Sequence, residues 1–206
     1  MKHKFILNLV AGAILAGTAS ANPIAFDFKD PKGVNNAVFK LDAPLEAING
    51  TANGISGMVH YDPANPAALT GKIVVESKSL TVPNPMMKEH LHGAQWLDVA
   101  KFPEITFEAT KVANVKREGD NATADVTGKF TLRDVTKEIT VPVRFAYLKD
   151  KLGARSNGQM QGDLLVVRAN FTIKRSDYGV NPKAPADKVA EEIELTLSLA
   201  GFAPKK

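Results

Sequence analysis

The sequence predicts an all-β protein: an antiparallel, eight-stranded β-barrel with one short helix near Met86–Leu97. Three observations predict it. Apolar and polar residues alternate along the later strands, giving each one apolar and one polar face, as in an antiparallel sheet solvated on one side. Gly50, Gly54 and Gly57 interrupt an otherwise strand-like run, where bulges or sharp bends would turn corners in a closing sheet. Helical spacing of apolar residues is confined to one stretch, through Met87, Leu91, Ala94 and the Trp96–Leu97 pair. About eight strands with one helix leave a barrel or a sandwich. Closure removes exposed edges and the glycines supply corners, so the barrel is the expected form.

The elements follow in chain order. Residues 1–21 hold Lys2 and Lys4, a mostly apolar run from Phe5 to Gly17, and Ala19-Ser20-Ala21, the pattern of a cleavable signal peptide. The run is too short for a membrane span, which needs about 20 residues. Residues 22–206 then form a single domain of roughly 185 residues, enough for a sizeable core. Asn36–Leu41 is the first expected strand, after the turn-like Asp30-Pro31-Lys32-Gly33. The glycine-rich Ile48–Tyr61 is the second and Gly71–Leu80 the third. The helix over Met86–Leu97 ends ahead of Phe102-Pro103, because Pro103 removes a backbone donor and drives Phe102 toward an extended conformation. Ile105–Val115 is a strand and Lys116–Asn121 a polar turn.

The later strands alternate cleanly. Val126, Gly128, Phe130 and Leu132 share one face of Ala124–Arg133. Ile139, Val141, Val143, Phe145 and Tyr147 share one face of Glu138–Tyr147. Leu165, Val167, Ala169, Phe171 and Ile173 do the same in Leu165–Lys174, and Ile193, Leu195, Leu197 and Leu199 in the last strand. Alternation shows which face is buried. It leaves open whether the barrel is filled or hollow.

Composition excludes several classes of function. Without cysteine there is no disulfide, thiol nucleophile or thiolate metal site. Removing Lys2 and Lys4 leaves 24 basic residues against 22 acidic ones, a net charge of +2, and no basic run suited to nucleic acid. His90 and His92 stand two apart on the expected helix and diverge, so no metal site is expected. No nucleophile elbow, zinc-protease motif or phosphate loop is present. An enzyme would need a buried polar residue on an inward face, and Tyr147, near a strand end, comes closest. Lys174-Arg175 reads as a solvated strand end, with a rim contact to a diphosphate or quinone oxygen as the alternative. No catalytic residue and no cofactor are expected.

Four stretches carry a resemblance. HLHGAQWLD from His90 and KFPEITFEAT from Lys101 are similar to a helix ending in a hydrophobic-Leu-Asp step before a Phe-Pro strand. VTGKFTLRDVTKEITVPVRF, Val126 to Phe145, resembles a Gly-x-Leu-Thr hairpin and its following strand, with Phe130 in the Leu place and Asp134 in the Gly place. Arg175-Ser176-Asp177-Tyr178-Gly179 resembles an Arg-x-Asp-aromatic-Gly segment ahead of a closing strand. In this order they resemble the YceI-like family of bacterial periplasmic proteins. Asp30 to Phe39 departs from that pattern, since the usual His-Ser pair is missing. The resemblance implies a lipocalin-like barrel in the periplasm that binds polyisoprenoid or related lipids in its interior.

The expected site is therefore the apolar interior. Phe107, Phe130, Leu132, Val141, Val143, Phe145, Phe171 and Ile173 are the expected cavity wall. Met87, Leu91, Trp96 and Leu97 are the expected portal, with soft and aromatic surface suited to a mobile mouth. The expected partner is an apolar long-chain lipid of isoprenoid, isoprenoid quinone or fatty amide type, held for sequestration or transport. Membrane contact is expected to be transient at most, and a homodimer stays open. The rival reading is a structural or interaction protein whose filled barrel acts through its outer surface.

Overall fold

The computed structural model describes residues 22–205. The expected signal peptide, residues 1–21, lies outside them. Ten strands form one antiparallel sheet: β1 (Ile24–Asp27), β2 (Asn36–Asp42), β3 (Ala47–Ala52), β4 (Ile55–Tyr61), β5 (Thr70–Glu76), β6 (Glu104–Glu118), β7 (Asn121–Leu132), β8 (Val135–Leu148), β9 (Gly162–Lys174) and β10 (Glu192–Pro204). Helix α1 spans Pro85–His92, and a single helical turn, α2, spans Leu152–Arg155. The sheet runs β1-β4-β5-β6-β7-β8-β9-β10 and returns to β1 through the pair Asp27–Phe202. It is a closed eight-stranded barrel.

Ten strands fill eight places because two places are broken. β1 and β2 lie in line along one edge of β10, at Phe202 and at Glu194–Ser198 respectively. β3 and β4 continue one another across Asn53-Gly54, the corner that the glycines of this run announced. The break between β1 and β2 falls on Asp30-Pro31-Lys32-Gly33. There Asp30 accepts the amides of Lys32, Val34 and Asn35, and its carboxylate pairs with Arg155 at 3.1 Å. Burial alone would raise the Asp30 carboxyl. The three amides and the Arg155 guanidinium outweigh it and hold the group below the usual carboxylate range.

Asn35 seals the gap in the ladder. Its side-chain amide donates to the carbonyls of Phe28 and Ala200, and its oxygen accepts the Ala200 amide at 2.9 Å. The residue is 2% exposed, so water cannot replace these bonds. Replacing Asn35 with alanine is expected to cost about 2–3 kcal/mol, since it strands three buried backbone groups. Urea unfolding checks this, and a loss under about 0.5 kcal/mol would show that the gap reseals.

Three local expectations are corrected. β1 was not foreseen, because four residues are too few to show an alternation. The polar turn expected over Lys116–Asn121 is only Gly119-Asp120, since the β6–β7 hairpin keeps its ladder to Glu118–Asn121. The helix stops at His92 rather than Leu97. Gly93 leaves the helical region, and the carbonyls of Ala94, Gln95 and Trp96 are taken by the guanidinium of Arg133, from the β7–β8 turn.

The two ends of the barrel differ. At the end away from α1, Phe26, Phe28, Leu165, Leu199, Tyr61 and Phe145 are at most 2% exposed and form a plug. Tyr61 packs against Phe145 with ring centroids 5.4 Å apart, and Tyr147 meets Phe26 edge-on. The Tyr147 hydroxyl donates to Asp163 at 2.7 Å, and burial together with that bond pushes its pKa up. Tyr147 thus belongs to the plug, where its one polar atom is already occupied.

Candidate functional site

The inward faces of the strands enclose a cavity of about 370 Å³ between the plug and α1. This lies within the roughly 300–1,000 Å³ of small-molecule sites. Ile73 of β5, Phe107 of β6, Phe171 of β9, and Ile193, Leu195 and Leu197 of β10 all face inward, yet each is only partly buried. An inward residue keeps accessible surface only where nothing packs against its tip. The barrel is hollow in its mouth half and filled at its base.

Glycine keeps the rings against the wall. A Cβ on Gly128 would lie 2.6 Å from the Phe107 ring, and one on Gly50 2.1 Å from the Phe39 ring. Both distances are far inside van der Waals contact. Each aromatic therefore lies flat over a bare stretch of backbone instead of standing up into the lumen.

All eight expected wall residues and all four expected portal residues border this one cavity. Val141 and Val143 lie deep, next to the plug to which Phe145 belongs. Phe130, Leu132 and Ile173 pack with Leu97 near the mouth. Met87, Leu91 and Trp96 cover the opening, packed against Phe39, Leu41, Val82 and Val189. Helix α1 itself has no buried residue. It is held by the Asn84 cap on the Met87 amide and by a 2.7 Å bond between His92 and the Leu80 carbonyl.

Sequence reasoning missed part of the mouth. Phe39 and Leu41 belong to an expected strand, and their alternation with Val38 and Lys40 was available as a signal. Val189 had none, since it stands in a proline-rich loop and reaches the cavity through the path of residues 181–190.

Polar side chains at the cavity are few: Glu46 and His90 at the exposed rim, Thr106, and Arg175. Arg175 corrects an expectation. It is 1% exposed rather than solvated, and it does not reach outward to a ligand oxygen. Its guanidinium donates to the carbonyls of Ala190, Val180, Asn181 and Ala184 and pairs with Glu191 at 3.3 Å. Five N–H groups meet five protein acceptors, so the cation ties the 176–191 loop to the end of β9. The hydroxyl and amide of Ser176, with Arg175 beside them, hold the Glu191 carboxyl below its usual range.

Residues 30–200 match the YceI-like domain. The chain belongs to the YceI-like family. It is 32% identical over its whole length to a UPF0312 protein of Yersinia pestis, and 30% identical to one of Yersinia enterocolitica, covering each completely. Its fold is similar to that of BcnA from Burkholderia cenocepacia, with a TM-score of 0.65 at 22% identity over 81% of this chain and 95% of that one. It is also similar to a polyisoprenoid-binding domain from Saccharophagus degradans, with a TM-score of 0.64 at 12% identity over 88% and 99% of the two chains. In this YceI-like barrel, the segment that lacks the His-Ser pair is the break between β1 and β2. Its polar groups are used by Asp30, Asn35 and Arg155 to close the wall.

Proposed function

We propose that this protein binds an apolar long-chain lipid, of isoprenoid, isoprenoid quinone or fatty amide type, for sequestration or transport in the periplasm. The observation that carries the reading is the ring of partly buried inward residues around an apolar cavity with one covered mouth. The fold likeness to a polyisoprenoid-binding domain supports it, as does the signal-peptide pattern of residues 1–21.

The energetics suit a long tail. Each buried CH₂ contributes roughly 0.8 kcal/mol. A tail of about 20 carbons gains some 15 kcal/mol before ordering and association costs are subtracted. Affinity of this origin needs little polar recognition. The head group that fits is uncharged, because Arg175 has no donor left for a phosphate and the Glu46 carboxylate stands at the rim. Binding is favoured over catalysis because, among the described residues, the few polar groups at the lining form no acid–base or nucleophile pair.

Native mass spectrometry of protein taken from a periplasmic extract tests the reading. A discrete added mass that passes into organic solvent as a neutral long-chain lipid is the expected result. Clean apoprotein that also rejects added polyprenols, quinones and fatty amides would overturn it. Trp96→Ala is expected to lower lipid retention more than stability, because Trp96 covers the mouth while only partly buried. Parallel losses in retention and melting temperature would make it a core residue instead.

A further inference from the structure

The barrel wall has an unzipped seam in its mouth half. The β8–β9 ladder stops at Val143–Ala169, although β8 continues to Val135 and β9 to Lys174 on the mouth side. Each strand keeps its other neighbour there, through Leu132–Val135 and Ile173–Ile193. Among the described residues the other joints of the mouth half carry backbone pairing, apart from the outer edge of β3, which is held at one point by the two bonds between Thr51 and Thr81. Between β8 and β9 the chain itself fills the gap. After β9 it folds into the turn Ser176–Tyr178, and Tyr178 and Val180 are buried against Phe130, Leu132 and Ile173.

This flap is fastened to the β7–β8 hairpin by side chains. Lys137 of β8 pairs with Asp177 at 2.6 Å and lies over the Tyr178 ring. Arg133, at the hairpin tip, donates to the Gly179 carbonyl at 2.9 Å. The same guanidinium holds the carbonyls of Ala94, Gln95 and Trp96, the segment that covers the cavity. Arg133 does not itself border the cavity. Among the described residues it is the side chain that joins the flap, the cover and the wall, beside the 2.9 Å backbone bond from the Asn181 amide to the Gln95 carbonyl.

We infer that the seam between β8 and the Lys174–Val180 flap is the door for apolar cargo, with Arg133 and the Lys137–Asp177 pair as its latch. Opening here breaks no strand ladder. The apolar cluster exposed on opening, Tyr178 with Val180 and Phe130, is the surface against which a passing hydrocarbon chain is desolvated. Cargo enters from the side of the barrel, so a long chain need not thread beneath α1 end-on. The inference rests on the lipid-carrier reading for its cargo, and on the geometry alone for the seam.

Two measurements test it. The first is transfer of retinol, a fluorescent isoprenoid alcohol, from the protein to phospholipid vesicles. Asp177→Asn is expected to speed release about threefold, as for loss of one half-exposed ion pair. Arg133→Ala is expected to speed it about tenfold or more, as for loss of several charge-assisted hydrogen bonds. Asn35→Ala, which weakens the wall on the β1–β2 side, is the control and should leave the rate unchanged. Unchanged release in both latch variants, or equal acceleration in the control, overturns the inference.

The second is amide hydrogen exchange without any lipid. The amides of the flap, residues 176–180, should exchange faster in Arg133→Ala, while the β7–β8 and β9–β10 ladders stay protected. Unchanged protection of the flap amides in that variant overturns the door even if retinol binds. A seam that opens in a protein that binds no retinol, polyprenol or quinone instead overturns the carrier reading and leaves the door standing.

Discussion

The double variant Ile73→Phe, Leu195→Phe is expected to fold with a melting temperature within a few degrees of the parent and to lose at least about nine-tenths of its bound lipid. In a filled core, inserting methylenes forces off-rotamer side chains and costs typically 1–3 kcal/mol per site. Here Ile73 and Leu195 project into the lumen from β5 and β10, and both keep accessible surface although they point inward. New ring atoms would enter space that no side chain occupies, so strain is small and the added contacts offset part of it. That same space is what an acyl or isoprenoid chain would fill. Native mass spectrometry and a thermal melt on the same preparation decide it. A melt lowered by the full overpacking cost, with lipid retention unchanged, would mean that this part of the barrel is packed and that the ligand lies elsewhere.

Leu165→Ala and Phe107→Ala are expected to separate base from mouth. Leu165 is 0% exposed in the plug, so its truncation leaves a closed void and is expected to cost about 3–4 kcal/mol. Phe107 is the larger residue, but it lies flat over Gly128 and already borders the cavity. Its truncation enlarges existing space and is expected to cost only about 1–2 kcal/mol, below the usual range for a core phenylalanine. Lipid retention should respond in the opposite order. The folded fraction of Leu165→Ala keeps its lipid, whereas Phe107→Ala loses wall contact and shifts toward bulkier chains. Urea unfolding beside lipid extraction measures both quantities. If Phe107→Ala proves the more destabilising of the two, the division into plug and cavity is wrong.

Much of this was legible because alternation is a local property. Val126, Phe130 and Leu132 of β7, or Val141, Val143 and Phe145 of β8, reveal their inward face through neighbours two residues away. Pro103 likewise ended the helical pattern and put the next strand at Ile105, one residue from the observed start of β6 at Glu104, since a proline restricts the residue before it wherever it stands. Less local features were misjudged. Arg175 follows a solvated lysine in sequence and has the composition of a strand end. It is buried because the 176–191 loop folds back and brings four carbonyls and Glu191 around it. The end of α1 was misplaced for a related reason. The apolar spacing does continue to Leu97, but an arginine some 37 residues away takes the carbonyls that a longer helix would have used.

The sequence by itself determined the all-β class, the inward set of side chains and the apolar character of whatever they face. Those follow from the two-residue period of a strand and from where glycine and proline stand. The tertiary structure decided that the inward faces enclose space rather than fill it. Ring closure through β1 and β10 sets the width of the barrel, and Phe107 and Phe39 lie against its wall only because Gly128 and Gly50 lie beneath them on neighbouring strands. Hollowness is a balance between the diameter of a closed sheet and the summed volume of side chains from eight places around it. No single stretch of chain contains that sum.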